Sequence, residues 1–321
     1  MTQFTRRTLL KSSLINLIIP PSWAGTPSKG QNNLDKPIEF IFPIPFSSQL
    51  PLLIPQNMGQ LNPKGAHFEN KYGGSGAVAL NYISKREPDQ PTVLIGAPGA
   101  STLQFITNPG LGFSPNDFQA IGLMYQAPVV LISSLKSPAT VLDLVQQAQA
   151  NPNQFTYSSH GVNAFLHLNM MLFESLFNVQ MRHIPYGKDH ILPLLSGEVD
   201  FAFVDSASAN QFYKLGKVNI LAVSSRKRLP LFPLVPTLSE YHHQFVTFAN
   251  MLLLANRNLK SEYLSTLSNL LNLTLKYTEL RKSFNDNGIL LAEPNSSKFG
   301  QEILNNDYQF WKRLISEKNL I

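Results

Sequence analysis

The 321 residues are 43% hydrophobic and 14% charged, which excludes a long disordered chain and suggests about two domains. No cysteine is present, removing disulfides, thiolate metal sites, cysteine nucleophiles and a lipid-modified N-terminal cysteine together. The formal charge is +6, from 26 Lys+Arg against 20 Asp+Glu with no long basic run, which sets nucleic acid aside as a partner.

In chain order, the N-terminus reads as an export signal. Arg6, Arg7 and Lys11 precede a short apolar stretch, Leu14 to Ile19, and Ser22-Trp23-Ala24 supplies small residues for a signal peptidase. The paired arginines fit a twin-arginine address, and a Sec signal carrying Arg-Arg is the alternative. A signal peptide over residues 1–24, cleaved near Ala24, is expected, with a periplasmic destination. Without it, 23 basic residues face 20 acidic ones. No later segment reaches ~18 uninterrupted apolar residues, so the exported part is expected to be soluble.

Strands follow at Ile38–Pro43, Ala66–Asn70 and Thr92–Ala97. Phe118 to Ser134 reads as two strands joined near Gln126-Ala127. Ser137-Pro138 offers a hydroxyl N-cap and a proline at N1, with Val141, Leu144, Val145 and Ala148 at helical spacing and Asn151-Pro152 as the stop. Further strands are expected at Thr156–Ser159, Gln180–Pro185, Val199–Val204 and Asn219–Ser224, with helices between most of them. Such alternation is the signature of parallel α/β layers. The last seventy or so residues read as three helices, Glu262–Leu275, Thr278–Asn287 and Ser296–Lys318, forming a helical cap. Phe310, Trp311 and Leu314 on the last of these read as core packing.

Four strands run into turns of glycine and hydroxyl residues: Pro45 to Ser48, Gly73 to Gly76, Ala97 to Thr102, and Ser158 to Asn163. In open α/β sheets ligands bind beyond the carboxyl ends of the strands. Helix N-termini there offer unpaired N–H groups and a partial positive charge, which suits a carboxylate. Four such turns point to a binding cleft, although each alone is ordinary turn chemistry. Sharper motifs fail. Gly74 to Ala79 fits G-x-G-x-x-A, but no acidic residue follows at the ribose-binding distance. Ser75 misses the G-x-S-x-G spacing of a serine hydrolase. His242-His243 and the His160/His167 pair lack a carboxylate at ligand spacing, so no metal is expected. No residue is assigned a catalytic role, and no cofactor is implied.

An ordered series of segments carries a family likeness. It runs Lys36-Pro37-Ile38, Phe42-Pro43-Ile44-Pro45, Asn70-Lys71-Tyr72-Gly73-Gly74-Ser75-Gly76, Phe113 with Asp117-Phe118, Leu142 to Ala150, Phe155 to Ser159 and His167-Leu168. It continues through Ile184-Pro185-Tyr186, Leu194 to Asp200, Gly216-Lys217, Leu221 to Ser224, and Val235-Pro236-Thr237 with Glu240. Over roughly residues 36–321 the series resembles the tripartite tricarboxylate transporter receptors, the Bug or TctC-type periplasmic solute-binding proteins. The resemblance implies a two-lobed α/β fold of the periplasmic-binding-protein type II class, with a ligand cleft and a double interlobe crossing. Its lobes would be residues 36–127 with 247–321, and 128–246. It further implies a small carboxylate ligand, membrane permease subunits as partners, and a monomer. Carried over by position, ligand contacts fall on Phe46, Ser47, Ser48, Gly76, Ala77, Ala97, Ser101 and Thr102 of the first lobe, and Ser159, Gly161, Asn163, Tyr186 and Asp205 of the second.

The chain departs from the family pattern around the pocket. Ser47-Ser48 replaces Gly-Gly, Pro51 replaces an acidic residue, and Pro55 would break a helix begun at Pro51. The loop after Tyr186 is shorter, and Asp205 stands one place beyond the family's usual acid, which is Val204 here. Two alternatives to transport are a periplasmic sensor docking on a membrane signalling receptor and an exported hydrolase using Ser75 or Ser159. His160 at the pocket edge would make affinity depend on pH.

Overall fold

The computed structural model describes residues 34–44, 49–108 and 110–317, so the expected signal peptide and Phe46, Ser47 and Ser48 lie outside the described residues. Eleven strands are described: β1 (Ile38–Phe42), β2 (Ala66–Asn70), β3 (Thr92–Gly96), β4 (Phe118–Ala127), β5 (Val129–Ser134), β6 (Thr156–Ser159), β7 (Arg182–Pro185), β8 (Phe201–Asp205), β9 (Val218–Val223), β10 (Ala249–Asn256) and β11 (Leu290–Leu291). They form two sheets, ordered β11-β4-β10-β3-β1-β2 and β7-β6-β8-β5-β9.

The helices are α1 (Leu53–Leu61), α2 (Ala77–Ser84), α3 (Gln104–Thr107), α4 (Val141–Ala150), α5 (Phe165–Phe177), α6 (Leu192–Ser196), α7 (Ser206–Lys214), α8 (Leu238–Tyr241), α9 (Ser261–Leu275), α10 (Thr278–Asp286) and α11 (Ser297–Glu317). Most of the sequence-derived elements sit within a residue or two of these bounds. The sheets, however, are mixed rather than parallel. β1 pairs in parallel with β2 and β3, and β6 with β7 and β8, whereas β10 runs antiparallel to β3 and β4, and β5 antiparallel to β8 and β9. The antiparallel strands flank the points where the chain changes sheet. A strand arriving from the other sheet is not delivered by a crossover helix, so nothing forces it to run parallel.

Two local expectations change. Thr140, not Ser137, caps α4: its Oγ1 accepts from the Asp143 N–H at 3.1 Å and donates to the Asp143 carboxylate at 2.7 Å. The Ser137 hydroxyl instead donates to Asp200 Oδ1 at 2.8 Å, a longer-range partner that no local rule reveals. Pro51 lies in a 3-10 turn, Leu50–Leu52, and α1 begins at Leu53. Pro55 therefore falls in the first turn of α1, where its missing N–H costs nothing, and the helix runs on to Leu61.

The chain passes from β4 to β5 through Pro128 and returns between β9 and β10. The two crossings lie side by side. Ser224 Oγ accepts from the Val129 N–H at 2.9 Å and donates to the Thr247 carbonyl at 2.7 Å. Gln126 Nε2 donates to Asn250 Oδ1 at 2.7 Å. Helix α11 lies against β4, and Gly300 and Gly122 permit that approach: a Cβ at Gly300 would stand 2.8 Å from the Gly122 Cα. Each sheet has its own apolar core. Trp311 and Ile315 of α11 form a further cluster with Leu103, just before α3, and Leu168 of α5.

Candidate functional site

The described members of the sequence-derived site, Gly76, Ala77, Ala97, Ser101, Thr102, Ser159, Gly161, Asn163, Tyr186 and Asp205, lie at or just beyond the carboxyl ends of parallel strands. Beyond β2, Gly73, Gly74, Ser75 and Gly76 all have positive φ (131°, 54°, 51° and 104°), and Gly76 caps α2. A Cβ at Gly76 would meet Ala100 Cβ at 2.5 Å, so glycine is required for conformation and for space. That contact brings Gly76 and Ala77 against the turn after β3, which holds Ala97, Ser101 and Thr102.

Ser101 and Thr102 are buried with their hydroxyls committed inward. Ser101 Oγ donates to the Ala97 carbonyl at 3.0 Å, and Thr102 Oγ1 donates to Asp307 Oδ2 at 3.0 Å. A ligand at this turn would therefore meet its backbone rather than these side chains.

In the second sheet, the Tyr186 N–H donates to the Ser159 carbonyl at 3.1 Å, joining the ends of β6 and β7. Ser159 Oγ accepts from the Gly161 N–H at 3.1 Å and lies 2.7 Å from His183 Nε2. Gly161 (φ 145°) and Asn163 (φ 58°) shape the loop into α5, and the Asn163 N–H donates to His167 Nδ1 at 3.0 Å. That bond leaves the proton of the neutral ring on Nε2. Burial, and then the neighbouring His183 ring, push the His167 pKa down to about 4, so the ring stays an acceptor at neutral pH. Asp205 ends β8 and caps α7, accepting from the Ser208 N–H at 2.9 Å and from Ser208 Oγ at 2.7 Å. It pairs in register with Val129, directly beside the first crossing.

The histidines pair differently from their sequence spacing. His167 stacks on His183 with centroids 4.0 Å apart, and His160 meets His190 edge-on at 4.1 Å. His160 keeps solvent contact, but the surrounding protein lowers its pKa while the Asp205 charge partly restores it. His190 is buried; desolvation, then His160, push it down to about 3. Among the described residues, no group of three or more His, Asp or Glu side chains is placed to hold a metal.

Sequence reasoning missed His183, His190 and the buried Asp307. The last was accessible in principle: Ile303, Leu304, Phe310 and Trp311, its neighbours at helical spacing, form an apolar stripe that surrounds one acid.

Two mixed α/β sheets joined by a double crossing, with small-residue turns at their strand ends, define a two-lobed fold of the periplasmic solute-binding class. The family model described as "Tripartite tricarboxylate transporter family receptor" matches residues 56–320, and the chain belongs to that family. It is 31% identical over 176 residues to a UPF0065 protein of Bordetella pertussis, covering 54% of each chain. It is 21% identical to protein BugT of the same organism over 95% of this chain and 96% of that one. Several matches are partial: the chain spans 54–63% of the length of the first curated relatives it matches. Among solved structures, "R. palustris Rpa4515 with adipate" superposes with a TM-score of 0.82 at 20% identity, over 89% of this chain and 98% of that one. At that identity the likeness speaks for the fold. No helix among the described residues is long and apolar enough to cross a membrane.

Proposed function

We propose that this protein is an extracytoplasmic solute-binding receptor. It captures a small carboxylate between lobes formed by residues 36–127 with 247–321, and 128–246, and delivers it to the membrane permease subunits of a tripartite tricarboxylate-type transporter. Export to the periplasm, by the signal at residues 1–24, and a monomeric state complete the reading. The observation that supports it is that Gly76–Ala77 and Ala97–Thr102 follow strands of one sheet, that Ser159–Asn163, Tyr186 and Asp205 end or follow strands of the other, and that the chain crosses twice between the two sheets. The turns supply N–H donors and partial positive charge without an arginine clamp. The solved relative that carries adipate supports a dicarboxylate as the first cargo to try.

One contact bears on the hydrolase alternative. Ser159 Oγ sits 2.7 Å from His183 Nε2, yet Ser159 is fully buried, and among the described residues no carboxylate bonds the His183 ring. A nucleophile needs access and an oriented base. The contact therefore supports a structural role for the pair.

A thermal-shift screen of the purified protein against mono-, di- and tricarboxylates, amino acids and neutral amides tests the proposal. Binding to the folded state at a hundredfold excess over Kd stabilises by about 2.7 kcal/mol, which raises Tm. A shift with a carboxylate is expected. Shifts confined to neutral or cationic solutes would overturn the carboxylate assignment, and no shift with any solute would favour the sensor reading.

A further inference from the structure

Asp307 faces the interior of the molecule from the middle of α11, and its two oxygens bond in two directions. Oδ2 accepts from Thr102 Oγ1 at 3.0 Å, in the turn after β3. Oδ1 accepts from Asn250 Nδ2 at 3.0 Å, at the start of β10. Asn250 Oδ1 in turn accepts from Gln126 at the end of β4, which fixes the amide so that its nitrogen must donate toward Asp307. One carboxylate thus ties a strand-end turn to both interlobe crossings.

One helical turn further on, Trp311 packs between Leu103 and Leu168, and its ring meets Phe165 at 5.6 Å. Phe165 begins α5, the helix that follows the Ser159–Asn163 turn. Asn169 of α5 accepts from Thr247 Oγ1 at 2.5 Å, within the second crossing. The helical segments that follow both turns therefore rest on α11 and on the crossings.

We infer that Asp307 is a positioning residue for lobe geometry: by bonding Thr102 and Asn250 together it fixes the turn after β3 relative to the interlobe crossings. The inference rests on the reading of the strand-end turns as the cargo site, but it concerns lobe geometry in the empty protein.

The chemistry at the position supports it. Burial holds the Asp307 carboxyl up to about 6, against the pull of its two hydrogen bonds. No charged residue lies in the turn Gly99–Leu103, in α3, in β4, in β10 or in Val246–Phe248, and none lies three or four residues away on α11. The titratable groups of the adjoining elements face elsewhere: Tyr125 of β4 packs on Phe284, and Glu174 and His167 of α5 engage Tyr157 and His183. With no ionic partner among the described residues, the acid's hydrogen bonds go to the turn and the hinge. A cavity of about 200 Å³, lined by Thr247, Asn250, Asn306, Asp307 and Trp311 among others, opens beside the carboxyl. It lies at the second crossing rather than at the strand ends.

The test is the interlobe distance distribution of the cargo-free protein. The chain has no cysteine, so Asn81→Cys and Gln146→Cys, both exposed, place one spin label in each lobe. Pulsed electron resonance should give a narrow distribution for the labelled parent. Asp307→Ala and Thr102→Val should each lose the narrow peak, and combining them should broaden it no further. Asp307→Asn should restore it, because an amide accepts from Asn250 and donates to Thr102. Folded variants that keep the parent distribution, or an Asp307→Asn as broad as Asp307→Ala, would overturn the inference. If Asp307→Ala fails to melt cooperatively, Thr102→Val decides alone. No cargo is added, so a failed carboxylate screen leaves the result standing.

Discussion

Replacing Asp307 by asparagine should stabilise the protein, and should do so in a pH-dependent way. The side chain is 7% exposed, and its bonds to Thr102 and Asn250 can both be made by an amide. A carboxyl with an unfolded value near 3.8 and a folded value of about 6 binds its proton more tightly when folded. Between those values the folded state carries more protons than the unfolded one, so stability falls as pH rises through the window. The shift corresponds to about 3 kcal/mol of lost stability at pH 7.5 and roughly 1 kcal/mol at pH 4.5, as upper figures. Asp307→Asn removes that cost. Chemical denaturation of parent and variant at both pH values reads the difference directly. A gain at pH 7.5 that shrinks to about a third at pH 4.5 is expected. A variant destabilised equally at both would show that the carboxylate's bonds outweigh its burial.

Other outcomes follow from single contacts. Gly76→Ala puts a Cβ 2.5 Å from Ala100 at φ 104°, and should cost at least about 2 kcal/mol by denaturant titration; a neutral effect would mean the two turns separate easily. His167 and His190, held down to about 4 and about 3 by burial, bind fewer protons folded than unfolded below pH 6.5. The histidine contribution to stability should therefore fall as pH drops from 6.5 towards 4, opposite in sign to that of Asp307, and is read as the difference between the parent and His167→Gln. A difference between parent and His167→Gln that stays constant over that range would contradict the buried neutral His167 ring. His160 remains neutral at pH 7 and gains charge only in acid, so carboxylate affinity should rise below pH 6.5 and the rise should vanish in His160→Ala. Calorimetric titration across pH checks it, and an unchanged slope in the variant would remove His160 from the cleft.

Much of the fold was legible because local pattern determines it. β2 and β6 have the bounds that their composition suggests, and Phe118 to Ser134 splits at Pro128, one residue beyond the expected Gln126-Ala127 junction. The strands on either side of that split enter different sheets, which a local pattern does not encode. Strand direction was misread for the same reason: β5 is set by the first crossing, not by a helix that returns the chain, and β10, which follows the second crossing, was not read as a strand at all. The cap of α4 went to Thr140 because a distant acid, Asp200, took the Ser137 hydroxyl.

At the candidate site, residue types were informative and their engagement was not. Ser101 and Thr102 were expected as ligand contacts, yet their hydroxyls bond to Ala97, four residues back, and Asp307, 205 residues away. The histidine pairs, too, join β6 and α5 to the β7 segment, contacts that exist only once the second sheet has formed. The motif likeness was legible through order rather than through any one segment, and the family match over residues 56–320 rests on the same ordered chain.

The central claim is that the lobes close on a small carboxylate. Isothermal titration of the purified protein with adipate, succinate and citrate, each against its neutral amide counterpart, tests it most directly. Saturable one-to-one binding of at least one acid, with its amide silent, is predicted. Binding of the amides alone, or of neither set, would contradict it.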